Sequence, residues 1–160
     1  MENSLAETGS DTIEQQRMVM TIAELPVDEC WRRLAQAPAG RLCFVEAGEP
    51  MVLPVNHAVD GHRLVIRTAR ETTLHRIAVG RSVAYEADAL TPVTREGWSV
   101  VVRGLIEELT DDDELARARQ LGLHPWASGL RDHFLVVQPW AVTGRQIEMR
   151  LVDDGGERDG

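Results

Sequence analysis

Apolar and polar positions change period several times along this chain, and each change marks an element. Over 27–37 the apolar residues Cys30, Trp31 and Leu34 recur at helical spacing, with Pro26 or Asp28 at the start and Pro38–Ala39–Gly40 at the end. The period then drops to two. Leu42 and Phe44 alternate with Cys43 and Val45 in Arg41–Glu46, and Ala47–Gly48–Glu49–Pro50 reads as a hairpin turn. Met51–Val59 reads as the next strand. Pro54 inside it predicts an edge, a bulge or an opening in the ladder. Asp60–Gly61 is a hairpin signal, with His62–Thr68 as the return strand.

Beyond that meander, Leu74, Ile77 and Ala78 share one face of a short helix over Thr72–Val79. Strands are predicted at Arg81–Asp88 and Gly97–Leu109, the second buried on both sides around Val100, Val101 and Val102. Asp111–Leu121 reads as a helix capped by Thr110, with Asp111, Asp112, Asp113 and Glu114 at its positive end. Strands follow at Asp132–Val137 and Val142–Met149, after a loop around Trp126. About six or seven strands joined mainly by hairpins, with three short helices, fit a small antiparallel barrel better than a doubly wound sheet.

The 160 residues suit one domain. Polar, acidic ends suggest a flexible segment over 1–20, within which Thr12–Met20 reads as a turn of helix or an edge strand, a barrel domain over 21–150 and an acidic tail over 151–160. The formal net charge of -9 splits evenly, with -3 at each end and -3 between. An acidic chain without a basic stripe predicts no nucleic-acid partner. No apolar run approaches the ~18 residues of a membrane span. The N-terminus lacks the pattern of a signal peptide. A soluble cytoplasmic protein is the expectation. All 17 basic residues are arginine, so no lysine exists to form a Schiff base. Cys30 and Cys43 match no metal spacing and are expected as reduced, buried thiols.

The stretch with most chemical promise is Leu64–Ile77. A strand, Leu64–Val65–Ile66, turns polar through Arg67, Thr68, Arg70, Thr72 and Thr73 and then opens the short helix. Free N–H groups, hydroxyls and a guanidinium at such a turn suit a phosphate. A surface turn capped by Thr72 explains the same threonines. His57 is placed either to touch the edge of a bound ligand or to face solvent. His75 is expected to be exposed. His124 and His133 lack a cysteine or carboxylate at ligand spacing, so no metal site is predicted. Ser99 has no His/Asp arrangement around it, which argues against a serine hydrolase. Glu86 and Asp88 read as a solvated strand face. Trp98 either stacks on a ring or fills the core, and Trp126 either reaches across an interface or tucks under its own loop.

Ala39–Gly40–Arg41–Leu42, Pro54–Val55–Asn56–His57, Arg67–Thr68, Gly97–Trp98–Ser99–Val100–Val101–Val102–Arg103–Gly104 and Val142–Thr143–Gly144–Arg145 occur in an order and spacing that resemble one family. This is the pyridoxamine 5′-phosphate oxidase-like, FMN-binding split-barrel family. The short single-domain members, similar to nitroimidazole-resistance reductases, are nearest, and the resemblance covers roughly Ala23 to Met149. It implies a mainly β fold with short helices, a six-stranded antiparallel split β-barrel. It also implies a homodimer with FMN in a groove between subunits. By that resemblance the phosphate is held by Arg67, Thr68, Thr72 and Thr73. The ring lies along the strand matching Leu53–His57, which places Pro54, Val55, Asn56 and His57 beside the cofactor, and Trp98, Ser99 and Val100 border it. The chain has Glu71–Thr72–Thr73 where relatives often carry Gly-Thr-Lys. The terminal Arg and His pattern that binds pyridoxamine phosphate is not evident, which argues against that substrate.

Two functions follow as expectations. One is an FMN-dependent oxidoreductase acting on a small-molecule acceptor, with the flavin supplying the chemistry and no catalytic side chain assigned. The other is a non-catalytic carrier or sensor of flavin, deazaflavin or haem.

Overall fold

The computed structural model describes residues 16–69, 72, 74–123 and 133–153. Among the described residues, eight strands form one antiparallel sheet, two more than the six expected: β1 (Gln16–Glu24), β2 (Gly40–Glu46), β3 (Glu49–Val55), β4 (Ala58–Asp60), β5 (Arg63–Thr68), β6 (Ser82–Thr91), β7 (Glu96–Glu108) and β8 (His133–Asp153). Two helices accompany them, α1 (Val27–Gln36) and α2 (Asp112–Gln120). The short helix expected after Thr72 is a single π-helical turn, Leu74–Ala78.

The strand order is β3-β2-β6-β7-β8-β5-β4. Its two ends, β3 and β4, are consecutive in the chain and separated only by Asn56 and His57. Strands at opposite edges can be joined so briefly only if the sheet curls round on itself, so the topology dictates a barrel with a seam at Asn56–His57. The break in Met51–Val59 thus falls after Val55. Pro54 sits within β3, an edge strand, the place in a sheet where a proline is tolerated.

Strand β8 organises the split. One side of it runs along β7 for most of its length; the other pairs with β5 through residues 133–137 and with β1 through residues 145–153. Two strands were expected here and one is found. The register slips between Arg103↔Ala141 and Gly104↔Pro139, so Trp140 bulges outward instead of ending the strand. The β1–β8 pairing extends the barrel to Gln16 and Asp153, beyond the 21–150 expected.

Alternation explains the core. Leu42, Phe44, Leu64, Ile66, Tyr85, Val100, Val102, Ile106, Leu135 and Val137 point inward, and α1 adds Cys30, Trp31 and Leu34 to the same cluster. Val101, expected inside, is only half-buried, so the centre of β7 is sealed on one face. A smaller cluster of Val65, Leu109, Ala118, Leu123, Phe134 and Val136 lies on the opposite face of β5 and β8, beneath α2. The cap of α2 is Asp111, not Thr110: its carboxylate accepts the Asp113 and Glu114 N–H groups at 3.1 and 3.0 Å. Arg63 bonds Asp60 and Glu114 at 2.8 and 2.7 Å, tying α2 to the β4–β5 hairpin. Glu86 and Asp88, expected as a solvated face, both pair with Arg41 of β2, at 2.8 and 2.6 Å. Among the described residues no helix is long and apolar enough to cross a membrane.

Candidate functional site

The turn after β5 is built from its own hydroxyls. The Thr72 hydroxyl donates to the Ala69 carbonyl at 2.8 Å and accepts the His75 N–H at 3.3 Å. Its proton is therefore used, and the contact of 2.8 Å between the two threonine hydroxyls is a bond donated by Thr68. Thr68 is 1% exposed. Arg67 and Thr68 are neighbours on a strand and so point to opposite faces. The Arg67 guanidinium lies on the α2 side, 3.4 Å from the Leu123 carbonyl and over the Phe134 ring. The structure thus brings Thr68 and Thr72 together and sets Arg67 apart from them. Thr73, with Arg70 and Glu71, lies outside the described residues, as do His124 and Trp126.

At the seam, Asn56 donates to the Pro38 carbonyl at 2.9 Å. His57 turns inward and is 7% exposed, so it does not face solvent, and it lies in the wall of the groove at the seam. Its Nε2 is 2.8 Å from the Leu34 carbonyl, which can only accept, so Nε2 carries the proton. Nδ1 then accepts the Tyr85 hydroxyl at 2.5 Å. Burial pushes the His57 pKa down, partly offset by the bond to Leu34, and pushes that of Tyr85 up. Both rings are held neutral.

Outside the seam runs a groove of 410 Å³ lined by Ala35–Pro38 at the end of α1 and just beyond it, Asn56–Val59 and Leu121–Leu123. Its volume falls in the roughly 300–1,000 Å³ of small-molecule sites. Pro54 and Val55 end β3 immediately before the lining begins at Asn56, and neither lines the groove. Arg67 reaches the groove rim through Leu123. A groove of this size, with the Asn56 amide in its wall and a guanidinium at its rim, fits the polar ring edge and phosphate of a flavin nucleotide.

The third predicted group divides by face. Trp98 and Val100 belong to the barrel core, with Arg33 over the Trp98 ring at 5.8 Å. Ser99 lies between them on the outer face and lines a separate groove of 460 Å³ with Leu25, Val101 and Thr143–Arg145.

Two features had no local signal in the sequence. One is an apolar groove of 610 Å³ on the outer face of β2, β3, β6 and β7, where Val45, Val52 and the bulged Trp140 are 56%, 57% and 59% exposed. The other is a cluster of His75, Glu108 and His133. His75, expected to be exposed, is largely covered there, at 16% side-chain exposure.

A family model described as pyridoxamine 5′-phosphate oxidase matches residues 26–146. The uncharacterized protein Rv0080 of Mycobacterium tuberculosis is 43% identical over 132 residues, covering 79% of this chain and 86% of that one. A solved structure titled as the FAD binding protein from Mycobacterium smegmatis is 32% identical and superposes with a TM-score of 0.69, covering 78% of this chain and 98% of that chain. A second, titled as the FAD and heme binding protein from the same species, is 16% identical with a TM-score of 0.62 over 86% of this chain and 76% of that chain, a likeness of fold alone. With the split antiparallel barrel and the match over 26–146, the chain belongs to the pyridoxamine 5′-phosphate oxidase family.

Proposed function

We propose that this protein is a homodimeric flavoprotein that binds a flavin nucleotide, FMN or FAD, and passes electrons to a small-molecule acceptor. The observation that carries this reading is the 32% identity, over 98% of its length, to a protein titled as FAD binding. The groove at the seam supports it. Asn56 would present its backbone and amide to the polar edge of the ring, with Pro54 and Val55 leading into it from β3, and Arg67 would meet a phosphate. His57 would act from inside, holding the seam that shapes the groove. Thr68 and Thr72 would set the turn beside Arg67 rather than bind the cofactor through free hydroxyls.

Bound flavin supplies the redox chemistry, while the chain positions it and excludes water. A second copy of the chain would cover the apolar face around Val45, Val52 and Trp140, since contiguous exposed apolar surface marks an interaction site.

The test is to incubate purified protein with FMN or FAD, desalt, and record the visible spectrum. A retained flavin band supports the reading, and the absence of one with both nucleotides overturns it. Turnover of a reduced nicotinamide and an electron acceptor by the loaded protein separates an oxidoreductase from a carrier; retention without turnover would favour the carrier.

A further inference from the structure

The chain folds three metal-binding side chains onto one point, from three elements far apart in sequence. His75 comes from the π-helical turn, Glu108 from the last residue of β7 and His133 from the first residue of β8. The Glu108 carboxylate sits between the imidazoles, with Oε1 2.5 Å from His133 Nδ1 and Oε2 3.1 Å from His75 Nε2. The two rings meet edge to face, their centroids 4.9 Å apart. One ligand atom from each residue can be chosen so that all lie within 4.8 Å of one another. Donors around a tetrahedral ion with bonds of about 2.1 Å stand about 3.4 Å apart, so a small closure completes such a site.

A second observation points the same way. His75 Nε2 is buried and, despite the carboxylate oxygen at 3.1 Å, makes no hydrogen bond of acceptable direction. A buried ring nitrogen is normally satisfied, and this one is aimed among two other ligand atoms. Among the described residues the ion-pair partners of Glu108 are these two imidazoles, with no arginine competing for its charge.

We propose that His75, Glu108 and His133 form a binding site for a divalent first-row transition metal ion. Two imidazoles and one carboxylate suit zinc or ferrous iron and leave a coordination position open. Side-chain exposures of 16%, 28% and 27% let that position reach solvent. His133 lies opposite Thr68 in the β5–β8 register, so the ion would pin the turn after β5 to the starting end of β8. The site does not depend on the flavin reading.

The test uses the full chain, stripped with a chelator and titrated with Co²⁺ and Zn²⁺. One ion per chain is expected, with cobalt ligand-field bands of low-coordinate nitrogen and oxygen donors. His133→Ala and Glu108→Gln are each expected to weaken binding by more than the roughly 10–100-fold typical of losing an outer partner. Cys43→Ala is expected to leave binding unchanged. Long-range ¹⁵N–¹H spectra of the unmutated protein give a reading even if a variant misfolds. Zinc should shift one histidine at Nε2 and another at Nδ1, and leave His57 unmoved. No stoichiometric ion, unchanged His75 and His133 signals, or equal affinity in folded variants would overturn the proposal and leave a metal-free imidazole–carboxylate cluster.

Discussion

The Tyr85 hydroxyl donates to His57 Nδ1 at 2.5 Å in the closed interior of the barrel. Through His57 Nε2 the same chain of bonds reaches the Leu34 carbonyl in α1. The seam between β3 and β4 is thereby fixed to β6 and to the helix that fills the core. Tyr85→Phe removes the donor and strands a buried acceptor, at a cost of about 1–3 kcal/mol. Urea unfolding of the two proteins at neutral pH measures this directly. An unchanged midpoint would mean that the seam does not rely on the bond.

The same histidine predicts a pH dependence. Burial holds its folded-state pKa below the ~6.5 of a free histidine. The unfolded chain therefore binds a proton that the folded chain refuses. Stability from this residue is complete above about pH 6.5, falls as the pH drops through that value, and levels off below the folded-state pKa. His57→Gln is expected to flatten this part of the profile relative to the parent, whatever its effect at neutral pH. Parallel profiles would rule the histidine out as the source.

Gly144 predicts a close-packing effect. A Cβ there would lie 2.5 Å from Cys30 Sγ and 3.1 Å from Leu25 Cδ1, where α1 rests on β8. Gly144→Ala is expected to cost roughly 1–3 kcal/mol by overpacking. Cys30→Ala in the same chain should return part of that loss, giving a favourable coupling in a double-mutant cycle. Simple additivity would show that the helix yields freely.

Arg67→Ala tests the phosphate end of the groove. A charge-assisted hydrogen bond contributes about 1.5–3 kcal/mol, so flavin affinity should fall by roughly 10- to 100-fold. A fluorescence titration reads this, and unchanged affinity would remove Arg67 from the site.

Trp140→Glu places a charge on the exposed apolar face and is expected to shift the protein toward monomer in sedimentation. Leu90→Glu, at a residue equally exposed but outside that groove, is expected to leave the assembly intact.

Local patterns in the sequence reached far into the fold. Cys30, Trp31 and Leu34 mark the buried face of α1, and Pro54 marks an edge strand. Strand β1 was harder to read, because Met18, Met20 and Ile22 are exposed and its partner lies at the far end of the chain. The continuity of β8 was hidden because Pro139 and Trp140 fall in the gap between the two expected strands and fold as a bulge. At the candidate site, the family resemblance grouped residues that alternation divides: Arg67 from Thr68, and Ser99 from Trp98 and Val100. The cluster of His75, Glu108 and His133 has no motif at all, since only the pairing of β7, β8 and the turn after β5 assembles it.

The most direct test of the account is sedimentation velocity of the flavin-loaded protein, followed at the flavin band. The account predicts that flavin absorbance moves with a species of twice the 17.8 kDa chain mass, at one flavin per chain. Flavin left behind at the meniscus, or carried by a monomer, would contradict it.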